Sequence, residues 1–577
     1  MERKHSKAIL SGILMMILMA VYGVGLPNLT LSEEQQSVLT IGWINGPTNL
    51  NPFTIATYAD SILVTMIHDS LLCYSPEMDL VPRLAESFTI SPDGLTHTFK
   101  LKECYFHDGT PVTSEDVKFT FELAANTTLP CLGFQLPLSS IETPDERTVI
   151  VHYTSARANI EWLTYLPIVP KHIWKDVPLE EVATHEDATG CGPYKLVEFK
   201  RNEVTILEAN DKYWQKLNFD RIILKVFMSV DTEISALKAG EIDLMPWEVP
   251  ERSVKTLTED PNIKVITSPI PYYAAIFINV NPNGTGNPAL LDINVRRAMR
   301  MAIDKEFLNN VVHLGMRTVA TSIIPKGTKW YNPNLQNPPF DLEKAAQILE
   351  EAGYKYVSDP NVREKDGVKL SFTLEVINRY PDELRAAEYI RDWWSQIGIQ
   401  LDVKAEDGGT MWSRVVPNYE FDLQLWGWRF TPDPDYILST YTTAAIGSLN
   451  YDGWSNKTFD QLYEQQAYEL NETKRIEIVH KMQEIHFNDI PDIPLYYHVQ
   501  MAAYRADKIT GIVTMDQGGI MNIHTYLSWR STKQSAPTVT PTPVGISTEI
   551  LIVATVVSIV VGLATGVLIM RRRYKGG

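Results

Sequence analysis

FDLQLWGWRFTPDPDY, residues 421–436, is the stretch of sequence that decides the fold. Its first half alternates between aliphatic residues and polar or indole residues, and a period of two is typical of a strand. The aliphatic side chains are therefore predicted on one face of the strand, and Trp426 and Trp428 on the other. Gly427 between the two indoles leaves room for another chain segment to come close.

The loop that follows this strand could complete a ligand site. Arg429 and Asp433 would supply polar arms beside an aromatic floor of two indoles, which is how small-ligand sites are commonly built. The alternative is that both tryptophans fill a core, and that Asp433, Pro434 and Asp435 only shape a turn. The stretch by itself leaves both interpretations open.

Composition and motifs indicate a large globular protein without recognisable reactive chemistry. A chain of 577 residues has room for several domains. The formal net charge is −18 and basic residues form no block between the two ends, so a nucleic-acid partner is not expected. The sequence contains no Gly-x-Ser-x-Gly, His-Glu-x-x-His, phosphate-loop or Cys-x-x-Cys motif. We therefore predict no catalytic residue, no metal ligand and no cofactor.

The two ends of the chain predict export and membrane anchoring. Residues 1–30 combine basic residues with an apolar run, as in a signal peptide or a signal anchor. Residues 550–570 carry no charge and are about long enough to span a bilayer as a helix, and the basic tail 571–577 is expected in the cytoplasm. Residues 531–548 form a Ser/Thr/Pro-rich stalk. The predicted location is the cell surface, with the domain outside and a C-terminal anchor in the plasma membrane.

Four cysteines could form two disulfide bonds in that oxidising compartment. They are Cys73, Cys104, Cys131 and Cys191. Sequence alone does not decide which of the three pairings of four cysteines is formed. Their spacings match no zinc-binding pattern, which agrees with the absence of a predicted metal site.

Strand and helix patterns alternate along the whole globular part of the chain. Residues 341–352 predict a helix with Asp341 as its N-cap and Gly353 as its end. A strand pattern over residues 370–377 precedes a helix pattern over residues 381–396. This alternation predicts an α/β protein with several lobes.

Six blocks of sequence, in the same order, resemble one protein family. They are AESFTISPDGLTHTFKLKECYFHDGTPVTSEDVKFTFE (85–122), GCGPYKLVEFKRNEVTILEANDKYW (190–214), ALKAGEIDLM (236–245), DINVRRAMRMAIDKEFL (292–308), FDLEKAAQILEEAGY (340–354), and FDLQLWGW with PDPD (421–435). Together they resemble the family 5 extracellular solute-binding proteins, the oligopeptide- and dipeptide-binding proteins of ABC importers. The resemblance covers about residues 37–531. The signal segment, stalk and C-terminal anchor resemble those of archaeal members, where a helix replaces a lipid anchor.

The resemblance implies an α/β clamshell of the periplasmic-binding-protein type, cluster C, with an extra α/β domain inserted in lobe I. The implied division is lobe I at 37–53, 188–277 and 500–531, the extra domain at 54–187, and lobe II at 278–499. Ligand binding would close the two lobes over an interlobe cleft. The closed monomer would then dock on membrane permease subunits driven by a cytoplasmic ATPase, so the family implies a binding protein and not an enzyme.

The ligand that the family resemblance implies is a peptide, but the loop departs from the family pattern. In peptide-binding members an Asp after the Gly-Trp strand pairs with the α-amino group of the peptide. Here the segment from Gly427 to Asp435 is one residue shorter, and no carboxylate stands at the expected place. Asp433 could substitute, although Arg429 nearby would oppose a cationic group.

An oligosaccharide is the second ligand class that the family implies, because some members bind β-linked oligosaccharides by stacking sugar rings on indoles. Trp426 and Trp428 suit that chemistry, and the candidate partners are Trp43, Trp247, Tyr272 and Trp412. Of the neighbours Tyr496 and Tyr497, one is expected to face the cleft, and Tyr497 is a candidate contact. Two further alternatives are a surface sensor or adhesin that reuses the fold, and an anchored ectoenzyme.

Overall fold

The structure is a computed structural model that describes residues 36–44, 46–55, 57–132, 135–247, 249–357, 361–378, 380–515 and 519–532. The predicted signal segment, the C-terminal anchor and basic tail, and nearly all of the predicted stalk lie outside these residues. Within the described ranges no helix is both long and apolar enough to cross a membrane. All elements given below belong to one compact unit that ends at Ser531.

Strands and helices alternate as the sequence pattern predicted. The strands are β1 Val38–Ile44, β2 Leu72–Tyr74, β3 Leu80–Pro82, β4 Ala85–Ile90, β5 Thr96–Leu101, β6 Leu138–Asp145, β7 Thr148–Tyr153, β8 Tyr194–Lys200, β9 Val204–Ala209, β10 Arg221–Phe227, β11 Leu244–Met245, β12 Ile263–Ile278, β13 Thr318–Val319, β14 Lys355–Tyr356, β15 Arg363–Lys365, β16 Val368–Lys369, β17 Ser371–Ile377, β18 Gln400–Glu406, β19 Leu423–Arg429, β20 Asp492–Arg505, β21 Ile509–Thr510 and β22 Arg530–Ser531. The helices are α1 Tyr58–Ile67, α2 Ser114–Asn126, α3 Lys171–Trp174, α4 Val230–Ala239, α5 Glu251–Thr258, α6 Ile293–Met301, α7 Lys305–Phe307, α8 Leu342–Glu351, α9 Pro381–Gln396, α10 Gly408–Val415, α11 Asp435–Ser439, α12 Lys457–Tyr468, α13 Glu472–Asp489 and α14 Ile523–Ser528.

The helix predicted at residues 341–352 shows how local sequence sets these elements. The side chain of Asp341 accepts a hydrogen bond from the backbone N–H of Lys344 at 2.8 Å, so it caps the first turn of α8. Gly353 follows the helix with φ of 92°, a conformation that glycine adopts without steric cost. The predicted cap and end of this helix are therefore confirmed.

Two long antiparallel strands, β12 and β20, run through the middle of the main sheet. The strand order of this sheet is β18-β17-β19-β12-β20-β11-β1-β10-β9-β8, and β13 pairs with β20 beside this path. The pairing of β12 with β20 extends from Ile263 opposite Arg505 to Phe277 opposite Asp492. These two strands therefore connect the β17–β19 side of the sheet to the β1–β10 side.

Three large hydrophobic cores draw on different parts of the chain. The first lies within residues 273–497, and the second within residues 53–191, around the four-stranded sheet β4-β5-β7-β6. The third combines segments from residues 39–67, 194–244 and 502–529. We call them the first, second and third core. The predicted lobe and domain boundaries themselves stay a prediction.

The four cysteines lie in described segments, and none of them is paired. Cys104 and Cys191 are buried, whereas Cys73 and Cys131 are partly accessible. Burial raises the pKa of the Cys104 and Cys131 thiols to about 12, which holds them in the protonated and unreactive form. The two disulfides that the cysteine count allowed are therefore not formed in this structure.

Candidate functional site

The strand that carries the two tryptophans, β19, has two faces in different surroundings. It pairs antiparallel with β12 and parallel with β17. Leu423 and Leu425 are buried in the first core, whereas Trp426 and Trp428 are only partly buried. The predicted separation of the two faces is confirmed, because the pleat of a strand directs successive side chains to opposite sides.

Trp426 and Trp428 belong to a cluster of rings that we call the aromatic wall. Trp428 stacks on Tyr451, with ring centroids 4.9 Å apart and planes 7° apart. Trp412 meets Trp426 edge-on at 4.3 Å, and Phe277 stacks on Trp426 at 4.7 Å. The wall consists of Phe277, Trp412, Trp426, Trp428, Tyr436 and Tyr451. Such a cluster offers flat apolar faces to a ligand and only a few polar groups.

The indole N–H of Trp426 is a polar group that the wall leaves unused. Its Nε1 atom is buried and has no hydrogen-bond acceptor among the residues that the structure describes. A buried donor without an acceptor is unfavourable by about 1–3 kcal/mol. Because the atom is buried, contact with a ligand oxygen would require the side chains around it to move, so the wall offers a ligand its ring faces alone.

Replacing Gly427 with alanine is expected to disturb the wall and to destabilise the protein. A Cβ atom on Gly427 would lie 2.0 Å from the carbonyl oxygen of Tyr273 and 2.6 Å from the ring of Tyr272. Because the first of these contacts is with backbone, the sheet itself must shift, and we expect a loss of unfolding free energy of about 1–3 kcal/mol. Urea unfolding followed by circular dichroism would measure it.

The matched control for this prediction is Gly408→Ala in α10. The nearest atoms to a Cβ at Gly408 are 3.9 Å away, on the side chain of Ile377, so that methyl group fits without strain. Its expected effect is within about 0.5 kcal/mol of zero or slightly stabilising. Equal destabilisation by the two variants would contradict the close approach at Gly427.

Arg429 and Asp433 are the two polar residues predicted to contact a ligand beside the tryptophans. The side chain of Arg429 lies outside what the structure describes. Asp433 is described, and both of its carboxylate oxygens accept hydrogen bonds from Arg475, at 2.5 and 2.6 Å. This bidentate pair is buried. The Asp433 carboxylate therefore has a partner within the chain, and we leave Asp433 out of the proposed ligand site.

A second group of aromatic residues lies at the end of β1. The rings of Trp43 and Tyr58 are 6.0 Å apart, and those of Tyr58 and Trp247 are 4.4 Å apart. Trp43 is buried, and Trp247 is partly exposed. Both border a small concavity whose lining is Gly42, Trp43, Ile44, Glu233, Pro246 and Trp247. Trp43 and Trp247 are thus brought together, on a different part of the sheet from the aromatic wall.

The remaining candidate ligand contacts, Tyr272 and Tyr497, differ in how far their side chains are exposed to solvent. Tyr272 is partly exposed, and its ring meets His498 edge-on at 4.7 Å. Tyr497 is buried, and its hydroxyl donates to the carbonyl oxygen of Ser322 at 2.8 Å. Its neighbour Tyr496 is buried as well, so neither ring of this pair is exposed. We keep Tyr272 in the proposed site and leave Tyr497 out, because its hydroxyl is fixed inside the protein.

Arg317 is the centre of a buried charged cluster beside β12 and β20, which we call the Arg317 hub. Its Nε donates to Glu251 at 3.1 Å, and its Nη1 donates to Glu383 at 3.0 Å and to His498 at 3.1 Å. Burial alone would raise the pKa of Glu251, but His313 and Arg317 outweigh it and lower that pKa to about 2. Burial, with the charge of Arg317, holds the pKa of His498 well below its usual range. In the hub, one guanidinium therefore contacts two carboxylates and a neutral imidazole directly.

Local sequence patterns do not predict the Arg317 hub or the wall residues Tyr436 and Tyr451. Arg317 is 66 positions from each of its two carboxylate partners, so no local pattern connects them. The only available signal for the two tyrosines was the abundance of aromatic residues after Trp428. Both sets are assembled by tertiary packing.

The sequence of this chain is similar to those of known solute-binding proteins. A family model described as "Bacterial extracellular solute-binding proteins, family 5 Middle" matches residues 79–448. The oligopeptide-binding protein AppA of Bacillus subtilis is 28% identical over 449 residues, which cover 74% of this chain and 80% of AppA. A putative ABC transporter peptide-binding protein of Brucella ovis is 30% identical over 410 residues, 67% of this chain and 73% of that protein.

Solved structures agree with the sequence comparison at the level of the fold. AppA from B. subtilis, in complex with a nonapeptide, has a TM-score of 0.72 and 24% identity, and covers 86% of this chain and 100% of AppA. NikZ from Campylobacter jejuni, in complex with Ni(L-His), has a TM-score of 0.73 and 23% identity, and covers 85% of this chain and 99% of NikZ. The predicted two-lobed α/β clamshell is therefore confirmed.

Proposed function

The chain belongs to family 5 of the bacterial extracellular solute-binding proteins, and we propose that it is the extracytoplasmic receptor of an ABC importer. It would hold a solute in the cleft between its lobes and deliver it to membrane permease subunits that a cytoplasmic ATPase drives. The observation that carries this proposal is the aromatic wall, whose two tryptophans lie on β19, the strand that pairs with the long strand β12. The apolar sequence of segment 550–570 supports a location at the cell surface, and we propose that this segment is the anchor.

We propose a peptide or an oligosaccharide as the solute, and each class has its own support. The names of AppA and of the Brucella protein favour a peptide. The wall favours an oligosaccharide, because Trp426 and Trp428 offer ring faces that suit the stacking of sugar rings. The carboxylate of Asp433, which could have received a peptide ammonium, is instead paired with Arg475.

A thermal-shift screen would separate the two ligand classes. The full-length protein in detergent would be heated with a peptide pool and, separately, with β-linked gluco-oligosaccharides. A ligand present at about 100 times its Kd adds roughly 2.7 kcal/mol to the unfolding free energy, and this raises Tm measurably. Stabilisation by the sugars alone would rule out the peptide proposal, and stabilisation by the peptides alone would rule out the sugar proposal.

Removing the indoles of the wall is expected to weaken ligand binding. Trp426→Ala and Trp428→Ala each remove a stacking surface, and we expect about 1–3 kcal/mol, or roughly tenfold to a hundredfold in Kd, for the solute found in the screen. Isothermal titration would measure it. Trp393→Ala is the control, because this partly buried indole packs with Phe307 and Tyr389 outside the wall. Unchanged affinity in both wall variants would contradict the proposed site.

Two other functions remain testable with the same protein. A sensor or adhesin that reuses the fold would bind a solute without any associated transport, so a gene neighbourhood that lacks permease and ATPase genes would favour it. An anchored ectoenzyme would convert the bound oligomer, so release of shortened products during incubation would favour it. Neither has a specific observation on its side among the described residues.

A further inference from the structure

Glu161 connects the second core to the loop that follows the wall strand. It precedes Trp162, a residue of the second core, and its side chain reaches across to Asp433. The Oε2 atom of Glu161 accepts a hydrogen bond from the backbone N–H of Asp433 at 2.9 Å and another from the hydroxyl of Tyr74 at 3.2 Å. Glu161 is only 4% exposed. A buried carboxyl group therefore holds the backbone of the loop that follows β19.

Neighbouring contacts make this a broader interface between the first two cores. The backbone N–H of Ala158 donates to the carbonyl oxygen of Ala467 at 2.9 Å. The guanidinium of Arg157 lies 5.9 Å from the ring centre of Tyr468. Arg157 and Ala158 precede Glu161 in the sequence, and their partners Ala467 and Tyr468 directly follow Gln466. Glu161 thus sits within a surface where two separately packed bodies meet.

The charges at this surface do not balance around Glu161. Arg475 directs both Nη atoms to Asp433 and its Nε to the carbonyl oxygen of Gln466 at 3.1 Å. Asp435 accepts a hydrogen bond from Gln466 at 2.7 Å. Within the described ranges no cation lies at ion-pair distance from Glu161. Two buried carboxyl groups, Glu161 and Asp433, and the partly buried Asp435 therefore lie near one guanidinium, which is committed to Asp433.

The titration of Glu161 reflects these surroundings. Burial, and then the charge of Asp433, raise the pKa of Glu161 to about 8, although hydrogen bonds from Asp433, Thr431 and Tyr74 partly oppose this. Burial, followed by Asp433, raises the pKa of Asp435, and Arg475 and Arg157 oppose that rise. Burial and the charge of Glu161 also raise the pKa of the hydroxyl groups of Tyr74 and Tyr165. Tyrosines that stay protonated add no charge near Glu161.

We propose that Glu161 is a positioning residue that fixes the loop after Trp428 against the second core, and that it takes up a proton when this contact forms. The proton would sit on Oε1, because Oε2 already accepts two hydrogen bonds. This inference rests on the proposed function, since the loop that Glu161 holds leads out of the proposed ligand site. Its consequence is that ligand binding is coupled to pH through the contact between the two cores.

The direction of the pH effect follows from linkage. When the contact opens, Glu161 returns to an ordinary pKa of about 4.5, so the closed contact binds one more proton over the range up to about 8. The contact is at its strongest below about pH 4.5 and weakens as pH rises to about 8, above which the carboxylate is ionised in both states. Between these limits the equilibrium constant for closing falls by up to about tenfold per pH unit.

Amide exchange at Asp433 tests the proposal without any ligand. Asp433 stands between Pro432 and Pro434, which have no N–H, so its amide is an isolated reporter of the bond to Glu161. In the full-length protein, the protection factor of this amide, corrected for intrinsic exchange, is expected to fall at least tenfold between about pH 5 and about pH 8.5. A protection factor that does not change with pH would overturn the proton uptake.

Two variants separate positioning from proton uptake. Glu161→Gln keeps an oxygen acceptor without a titratable group, so we expect high protection of the Asp433 amide at both pH values. Glu161→Ala removes the acceptor, so we expect loss of protection at both pH values. If the Gln variant behaves like the Ala variant, the neutral form does not hold the loop and the proposal fails.

A third variant guards against a general folding defect. Tyr74→Phe leaves the Asp433 bond in place but removes a donor that favours ionised Glu161, so the loss of protection should shift to higher pH. An unshifted profile would contradict the assigned role of Glu161.

Any solute found in the thermal-shift screen should bind more weakly to the natural protein at high pH than at low pH. Its affinity for Glu161→Gln should not change with pH. If no solute is found, the proposed function fails, whereas the exchange result stands on its own.

Discussion

Replacing Arg475 with alanine is expected to lower the free energy of unfolding by about 3–5 kcal/mol. Arg475 and Asp433 form a buried bidentate pair, with hydrogen bonds of 2.5 and 2.6 Å. Without the guanidinium, the Asp433 carboxylate would be left buried beside Asp435 and Glu161. The loss of an ion pair is far larger here than at a surface site, because water cannot solvate the remaining charge.

The size of this effect is to be measured by urea unfolding near neutral pH. Arg475→Lys is the first control, and we expect it to recover part of the loss, because an ammonium restores the charge but cannot form the two parallel hydrogen bonds. The double variant Arg475→Met with Asp433→Asn is the second, and we expect it to be more stable than Arg475→Ala, since position 433 then carries no unpaired charge. A double variant no more stable than Arg475→Ala would show that packing, and not the unpaired carboxylate, causes the loss.

Replacing Arg317 with alanine is the second change with a large expected effect, again about 3–5 kcal/mol of unfolding free energy. The substitution leaves Glu251 and Glu383 without the guanidinium that donates a hydrogen bond to each of them, and both carboxylates are largely buried. Glu251 lies on α5, just before β12, and Glu383 lies on α9. The hub therefore stabilises the region where the two long strands cross the sheet.

The hub also predicts a pH dependence with a definite sign. Because the pKa of Glu251 is lowered from 4.5 to about 2 in the folded protein, its contribution is present above about pH 4.5 and is lost as pH falls through about 2. The full contribution is roughly 3 kcal/mol. In Arg317→Ala this pKa should rise, so acid unfolding followed by tryptophan fluorescence should occur at higher pH than in the natural protein.

The control for the hub is Arg385→Ala. Arg385 pairs with Asp382 on the same helix as Glu383, but both side chains are well exposed, so we expect a loss of less than about 1 kcal/mol and little shift in acid unfolding. If Arg385→Ala and Arg317→Ala shift acid unfolding equally, the buried geometry of the hub has no special role.

Local sequence was enough to predict the elements of the fold and its family. The period of two over residues 421–428 gave the two faces of β19, because the pleat of a strand depends only on the local backbone. The cap at Asp341 and the end at Gly353 are likewise set by a few consecutive residues. The six ordered blocks then identified the clamshell, since they occur in the family order between residues 85 and 435.

The sequence by itself thus determined the strand, the loop and the family of this protein, but not which side chains remain available to a ligand. Only the tertiary structure decided that Asp433 is paired with Arg475, 42 positions away, and that its backbone N–H is held by Glu161, 272 positions away. It also placed Tyr451 on Trp428 and fixed the hydroxyl of Tyr497 inside the core. The physical reason is that a local pattern sets the face on which a side chain lies, whereas its partners and its burial depend on segments that meet only when the chain packs.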